Sequence, residues 1–246
     1  SPTSLVGASS TAAASGLDRV SSFHMPPFRV LVALLPLLST AVISPVAGQA
    51  TGLPVRNAGV SQGISVDAEV GLGRLRRSMG ADDVSRAAGA TARVGFGPLG
   101  GAIGISRLTI DPASGADRTS TVASAAAQFT VFGGPLVPLK ITWQAGASRF
   151  LGGGPASAWR GHLGIGGALT IPAVAFSIRS WIAPRLDYAA ERPAVGDRIT
   201  GAVSAGIDLG LLNGLGLRVS YDSRLGWEDG DERAKGIGLG ASYHFR

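Results

Sequence analysis

Leu215-Gly216-Leu217-Arg218-Val219-Ser220-Tyr221-Asp222-Ser223-Arg224-Leu225-Gly226-Trp227 is the stretch that decides the fold. Leu215, Leu217, Val219, Tyr221, Leu225 and Trp227 stand at alternate positions, with Ser223 the exception. Between them stand Gly216, Arg218, Ser220, Asp222, Arg224 and Gly226. After a polar loop the alternation resumes, with Ile237, Leu239, Ala241, Tyr243 and Phe245 on one face and Gly238, Gly240, Ser242 and His244 on the other. Successive side chains of a strand point to opposite faces, so the chain ends in two strands, each with an apolar and a polar face. An antiparallel sheet in water shows the same pattern. Three features turn the reading towards a membrane barrel: a secretory signal upstream, repetition of the strand pattern, and an aromatic residue near the C-terminus.

Composition agrees. Only 15% of the 246 residues are charged, against roughly 25% in ordinary soluble domains. Yet no apolar run after the N-terminal region approaches the roughly 20 residues of a spanning helix. A barrel reconciles the two, because its apolar residues are spread singly along alternating strands. The 37 Gly and 14 Pro stay below the composition at which disorder becomes the default. The absence of cysteine excludes disulfides, thiolate zinc sites and a lipidated Cys anchor. The net charge of +6 is carried by basic residues scattered one per strand, so no nucleic-acid partner is expected.

Residues 1–24 are rich in Ser, Ala and Thr without periodicity and are expected to be an unstructured extension. Met25-Pro26-Pro27-Phe28-Arg29 supplies a positive n-region, residues 30–43 an apolar h-region, and Gly48-Gln49-Ala50 small residues for cleavage. Residues 25–50 therefore read as a cleaved signal peptide. Residues 51–62 form a polar, periplasmic lead-in, and residues 63–246 the barrel.

Strands follow in a regular rhythm. Ile64, Val66, Ala68, Val70 and Leu72 share a face, and Ala90, Ala92, Val94 and Phe96 make the next, after a polar loop expected over residues 76–88. Ile103 and Ile105 open a third strand whose phase breaks at Arg107, Leu108 and Ile110, which calls for a β-bulge near Ser106. A weak Ala-rich strand ends at Phe129 and Val131. Four more follow before the final hairpin, led by Val137, Trp159, Val174 and Ile199. Tight turns fall near Leu99, Pro135, Pro172 and Asn213-Gly214, the last a strong hairpin signal. Longer polar loops fall near Asp82, Ala116, Gly153, Ala194 and Asp231. Short and long connections alternate strictly, which gives about ten strands with both termini on the short-turn side. Eight is the alternative, if the Ala-rich strand and its neighbour fail.

On these residues the chain resembles the small outer-membrane β-barrel proteins of bacteria. The resemblance covers the signal peptide and residues 64–246. It implies an all-β, transmembrane, antiparallel up-and-down barrel in the outer membrane, with outer-membrane lipid, lipopolysaccharide and the barrel-assembly machinery as partners. Members of that family close on an aromatic residue. Here Arg246 follows Phe245, a departure that bears on recognition by the assembly machinery. Trp159, Tyr188 and Trp227 at the loop ends, and Phe96, Phe129 and Phe245 at the turn ends, suit two aromatic girdles.

A closed sheet places alternate residues in lipid and in the lumen. The lumen is then expected to take Asp67, Glu69, Arg93, Lys140, Arg160, His162, Arg179, Arg185, Asp187, Asp208, Arg218, Asp222, Arg224 and Glu228, with glycines leaving room for the arginines. A soluble secreted β-sandwich or lipocalin-like barrel is the competing fold, with its apolar face inside.

Motifs of chemistry fail their context. Gly236-Ile237-Gly238-Leu239-Gly240-Ala241 fits a dinucleotide fingerprint, but no helix follows. Ala202-Val203-Ser204-Ala205-Gly206 resembles a nucleophile elbow, yet Ser204 sits within a strand. His162 and His244 fall at opposite ends of the lumen, too far apart to share a metal. Glu228-Asp229-Gly230-Asp231-Glu232 is acidic enough for calcium but lacks EF-hand spacing, and reads as a solvated hairpin tip. No cofactor and no enzymatic activity are expected; an omptin-type protease needs His and acid groups at the outer rim, and the loops contain no such set. Two functions stay open. One is a structural or surface-interaction barrel plugged by Arg–Asp and Arg–Glu pairs. The other is a narrow porin-like channel for small polar or anionic solutes.

Overall fold

The computed structural model describes residues 63–76, 82–112, 115–133, 137–151, 159–190, 198–225 and 233–245. The expected extension, signal peptide and lead-in lie outside them, as do Trp227, Glu228 and the acidic loop. Ten strands run through the described residues: β1 (Gly63–Arg76), β2 (Asp82–Phe96), β3 (Leu99–Asp111), β4 (Arg118–Phe132), β5 (Leu139–Leu151), β6 (Trp159–Pro172), β7 (Phe176–Ala190), β8 (Arg198–Leu211), β9 (Leu215–Leu225) and β10 (Arg233–Phe245). Each pairs antiparallel with its sequence neighbours, and β1 pairs with β10, so the sheet closes on itself. The fold is the all-β, up-and-down barrel of ten strands, and the eight-strand alternative is set aside. No helix among the described residues is long and apolar enough to cross a membrane.

The alternation of the sequence becomes the inside and outside of the wall. Leu217, Val219, Tyr221, Ile237 and Leu239 are exposed, while Arg218, Ser220 and Asp222 between them are buried. An exterior of exposed Leu, Ile, Val and Phe with a polar interior is inverted relative to a water-soluble barrel. The lipocalin-like alternative is therefore excluded. The turn after β8 uses Gly214 at φ +86°, a conformation that glycine adopts without strain. Its N–H donates to the Leu211 carbonyl at 3.1 Å, and Leu215 N–H donates to Asn213 Oδ1 at 3.1 Å.

Three local expectations are corrected. β2 begins at Asp82, so most of the expected loop over residues 76–88 is strand. Its Asp83, Ser85 and Ala87 point inward, where the low apolar content of that side hid the alternation. β3 carries no bulge; its pairing with β2 and β4 is continuous through Ser106. Arg107 faces out near the strand end, and Leu108 faces in. The irregularity instead lies between Thr130 and Phe132, where β4 meets β5. Val174, expected within a strand, sits in the turn before β7 and is 97% exposed.

Candidate functional site

One inward row runs through a glycine. Glu69, Gly240, Arg218, Asp208 and Arg179 are successive cross-strand partners on β1, β10, β9, β8 and β7. With no side chain at Gly240, Arg218 reaches over it and its Nη1 donates to Glu69 Oε1 at 2.7 Å. A Cβ at Gly240 would stand 3.1 Å from the Glu69 side chain. Arg218 Nε donates to Asp208 Oδ1 at 2.8 Å, and Trp181 Nε1 donates to the same oxygen at 3.1 Å. Beside this clamp, Arg93 Nε donates to Asp67, and Arg93 lies 3.7 Å from Glu69.

A second cluster lies nearer the loop end. Arg185 Nε donates to Asp187 Oδ1 at 2.8 Å, and its Nη2 donates to Asp222 Oδ2 at 3.0 Å. Its Nη1 donates to the Ser204 hydroxyl, which in turn donates to Asp222. Arg224 stands 3.9 Å from Asp187. Gly164 is the cross-strand partner of Arg185, and a Cβ there would come within 2.7 Å of Arg185 Cβ. Side chains of Arg185 and Asp187 are at most 4% exposed. Buried charges hold such positions only when paired and hydrogen-bonded, so the acids and arginines stand or fall together.

Arg160 is buried with its guanidinium 5.1 Å from the Phe150 ring centroid, a cation–π separation. His162 lies over Gly146, where a Cβ would meet the imidazole at 2.3 Å. It is also the register partner of Asp187, an acid already held by Arg185. His162 starts near the loop end of β6 and His244 near the turn end of β10. Among the described residues, no three His, Cys, Asp or Glu gather as metal ligands.

Two apolar groups inside the wall escaped the sequence reading. Ala87, Leu108, Val122 and Phe150 form a buried cluster with Ile110 packed against it. Trp181 packs with Ala168 and Ala183, opposite Gly206, where a Cβ would meet the indole at 2.5 Å. Trp181 shares the odd-number parity of Arg179 and Arg185, the one signal in the sequence from which its inward position could have been read.

At the turn end the bore opens into a cavity of about 240 Å³, room for about eight waters. Arg93, Lys140, Arg179, Arg218 and His244 line it with Asp67 and Asp208. Cations outnumber carboxylates along its wall.

No protein-family model matches the sequence, and no curated protein matches it. Solved structures do. The β domain of the Bordetella autotransporter BrkA is 14% identical, with a TM-score of 0.51, over 74% of this chain and 99% of that one. The translocator domain of the autotransporter NalP from Neisseria meningitidis is 14% identical, with a TM-score of 0.44, over 88% and 98%. The outer-membrane protease OmpT from Escherichia coli is 10% identical, with a TM-score of 0.40, over 77% and 99%. At these identities the likeness is one of fold: this chain has the architecture of small bacterial outer-membrane β-barrels.

Proposed function

We propose that this protein is an outer-membrane barrel with a structural or surface-interaction role, its bore held shut by buried ion pairs. The observation that carries the reading is the Arg218 clamp, which ties Asp208 on β8 to Glu69 on β1 across two intervening strands. The Arg185 cluster and the Leu108–Phe150 group support it nearer the loop end. Eight-stranded barrels are just filled by side chains, and ten strands add little width. The barrel presents its loop end to the cell exterior, and residues 25–50 are removed so that the mature chain starts near Thr51. N-terminal sequencing and membrane fractionation test that start and location. No catalytic role is assigned. Planar-bilayer recording of the refolded mature chain tests the closed bore: no large stable openings are expected, and steady open channels would overturn the reading.

A second reading, a narrow path for small anions, draws on the basic wall of the turn-end cavity. Under it, Asp222→Ala raises conductance and shifts reversal potentials towards anions.

A further inference from the structure

Basic residues that are scattered in the sequence meet on the outside of the barrel. Lys235 on β10, Arg74 on β1, Arg86 on β2, Arg107 on β3 and Arg149 on β5 are all exposed. Their numbering parity is opposite to that of the buried lumenal residues of the same strands, so they point out of the wall. Each lies within four residues of the loop end of its strand.

The register makes them neighbours. Lys235 and Arg74 are direct partners. Arg74 faces Val84, two residues before Arg86. Arg86 faces Thr109, two residues beyond Arg107. Diagonal neighbours of this kind stand about 7–8 Å apart. Arg149 closes the arc beyond β4, with its guanidinium 5.3 Å from the Trp159 ring centroid. On this arc Arg86 is paired with the Asp111 carboxylate at 2.9 Å, while Arg74, Arg107, Arg149 and Lys235 have no carboxylate pairing among the ion pairs of the described residues. The other side of the barrel is different. Outward positions of β6 to β9 carry no Asp, Glu, Lys or Arg among the described residues; Trp159, Tyr188, Ile199 and Leu225 hold the loop end there.

Outward arginines in the wall of a membrane barrel face lipid, where an unmatched charge is disfavoured away from the interface and stabilised near anionic headgroups. Guanidinium groups bind phosphate oxygens bidentately. Several cations spaced across four strands match a headgroup with more than one phosphate better than a single-phosphate lipid. We propose that this arc is a binding face for a phosphate-bearing glycolipid of the outer leaflet, held against β10, β1, β2 and β3. The proposal rests on the outward orientation of the loop end, but not on closure of the bore.

Thermal unfolding of the refolded mature chain, read as heat-modifiable gel mobility, tests it in phosphatidylcholine vesicles. The added lipid is lipopolysaccharide, the same lipopolysaccharide after enzymatic dephosphorylation, or phosphatidylglycerol at matched charge. Phosphorylated lipopolysaccharide is expected to raise the midpoint by roughly 10 °C, given the usual weight of each basic group at an anionic surface and the size of the chain. The rise disappears on dephosphorylation and in the R74Q/R86Q/R107Q variant, the rise of each protein being read from its own midpoint in pure phosphatidylcholine. If that variant does not fold, Arg107→Gln and Lys235→Gln tested separately are each expected to lose part of the rise. An equal rise with phosphatidylglycerol, an undiminished rise in the variants, or no rise in the wild type overturns the assignment. A barrel that conducts yet shows the phosphate-dependent rise removes the closed bore and leaves the arc standing.

Discussion

At Gly240 the missing side chain is the functional group. Glu69 and Arg218 meet over it, and any larger residue pushes between them. Gly240→Leu is therefore expected to cost about 1–3 kcal/mol through overpacking, measured by urea titration of the folded gel band. Gly167→Ala is its control, since nothing lies within 4 Å of a Cβ there; a change within roughly 0.5 kcal/mol is expected. Asp222→Ala strips Arg185 of one of its two acids and breaks the Ser204 link. Loss of one partner of a buried pair costs roughly 3–5 kcal/mol, and the same titration reads it. A neutral result would mean that water, rather than Asp222, satisfies that guanidinium. The inward parity of these residues is legible in the sequence, because a strand has a period of two. Partner choice is not: Arg218 lies 149 positions from Glu69, and only closure of the sheet brings them together.

For single strands, the outer face of β9 gives a depth gauge. Val219 stands next to Ser220, the middle residue of Leu215–Leu225, and is 52% exposed. Arginine placed there is expected to cost roughly 2–4 kcal/mol if the strand centre lies at the bilayer midplane, and at Leu225 only about 0–1 kcal/mol. Folding titrations of the two variants into vesicles compare them; equal costs would argue against a membrane-spanning β9. The same physics explains the misread third strand. Arg107 occupies an apolar-phase position because it lies near the loop end, where a long basic side chain reaches the interface. Leu108 occupies a polar-phase position because Val122 and Phe150 offer it an apolar contact inside. A reading that assigns polar residues inward everywhere must invent a bulge at Ser106 to save the pattern.

Across the whole molecule, the strand number was legible, because turn chemistry and period-two patterning are local. Strict alternation of short and long connections does not hold, since β4 ends at Phe132 and β5 starts at Leu139, a longer gap than that from Arg76 to Asp82 between β1 and β2. The basic arc was not legible, since its five members are separated in sequence and are brought to one side of the wall only through the register of five strand pairs, two of them made by the intervening β4. The seam that completes the wall has a further consequence. β1 and β10 meet through thirteen paired residues, from Ile64 with Phe245 to Arg76 with Arg233, so the earliest described strand waits for the last described one. Every intermediate has two raw edges, each a template for pairing with another chain. The order of synthesis thus offers no stable halfway barrel, and the chain must be kept unpaired in transit until its final strand arrives. Deleting residues 233–246 is expected to abolish the heat-modifiable band altogether rather than to yield a smaller barrel, leaving aggregated chain whose two unsealed margins find partners in other molecules.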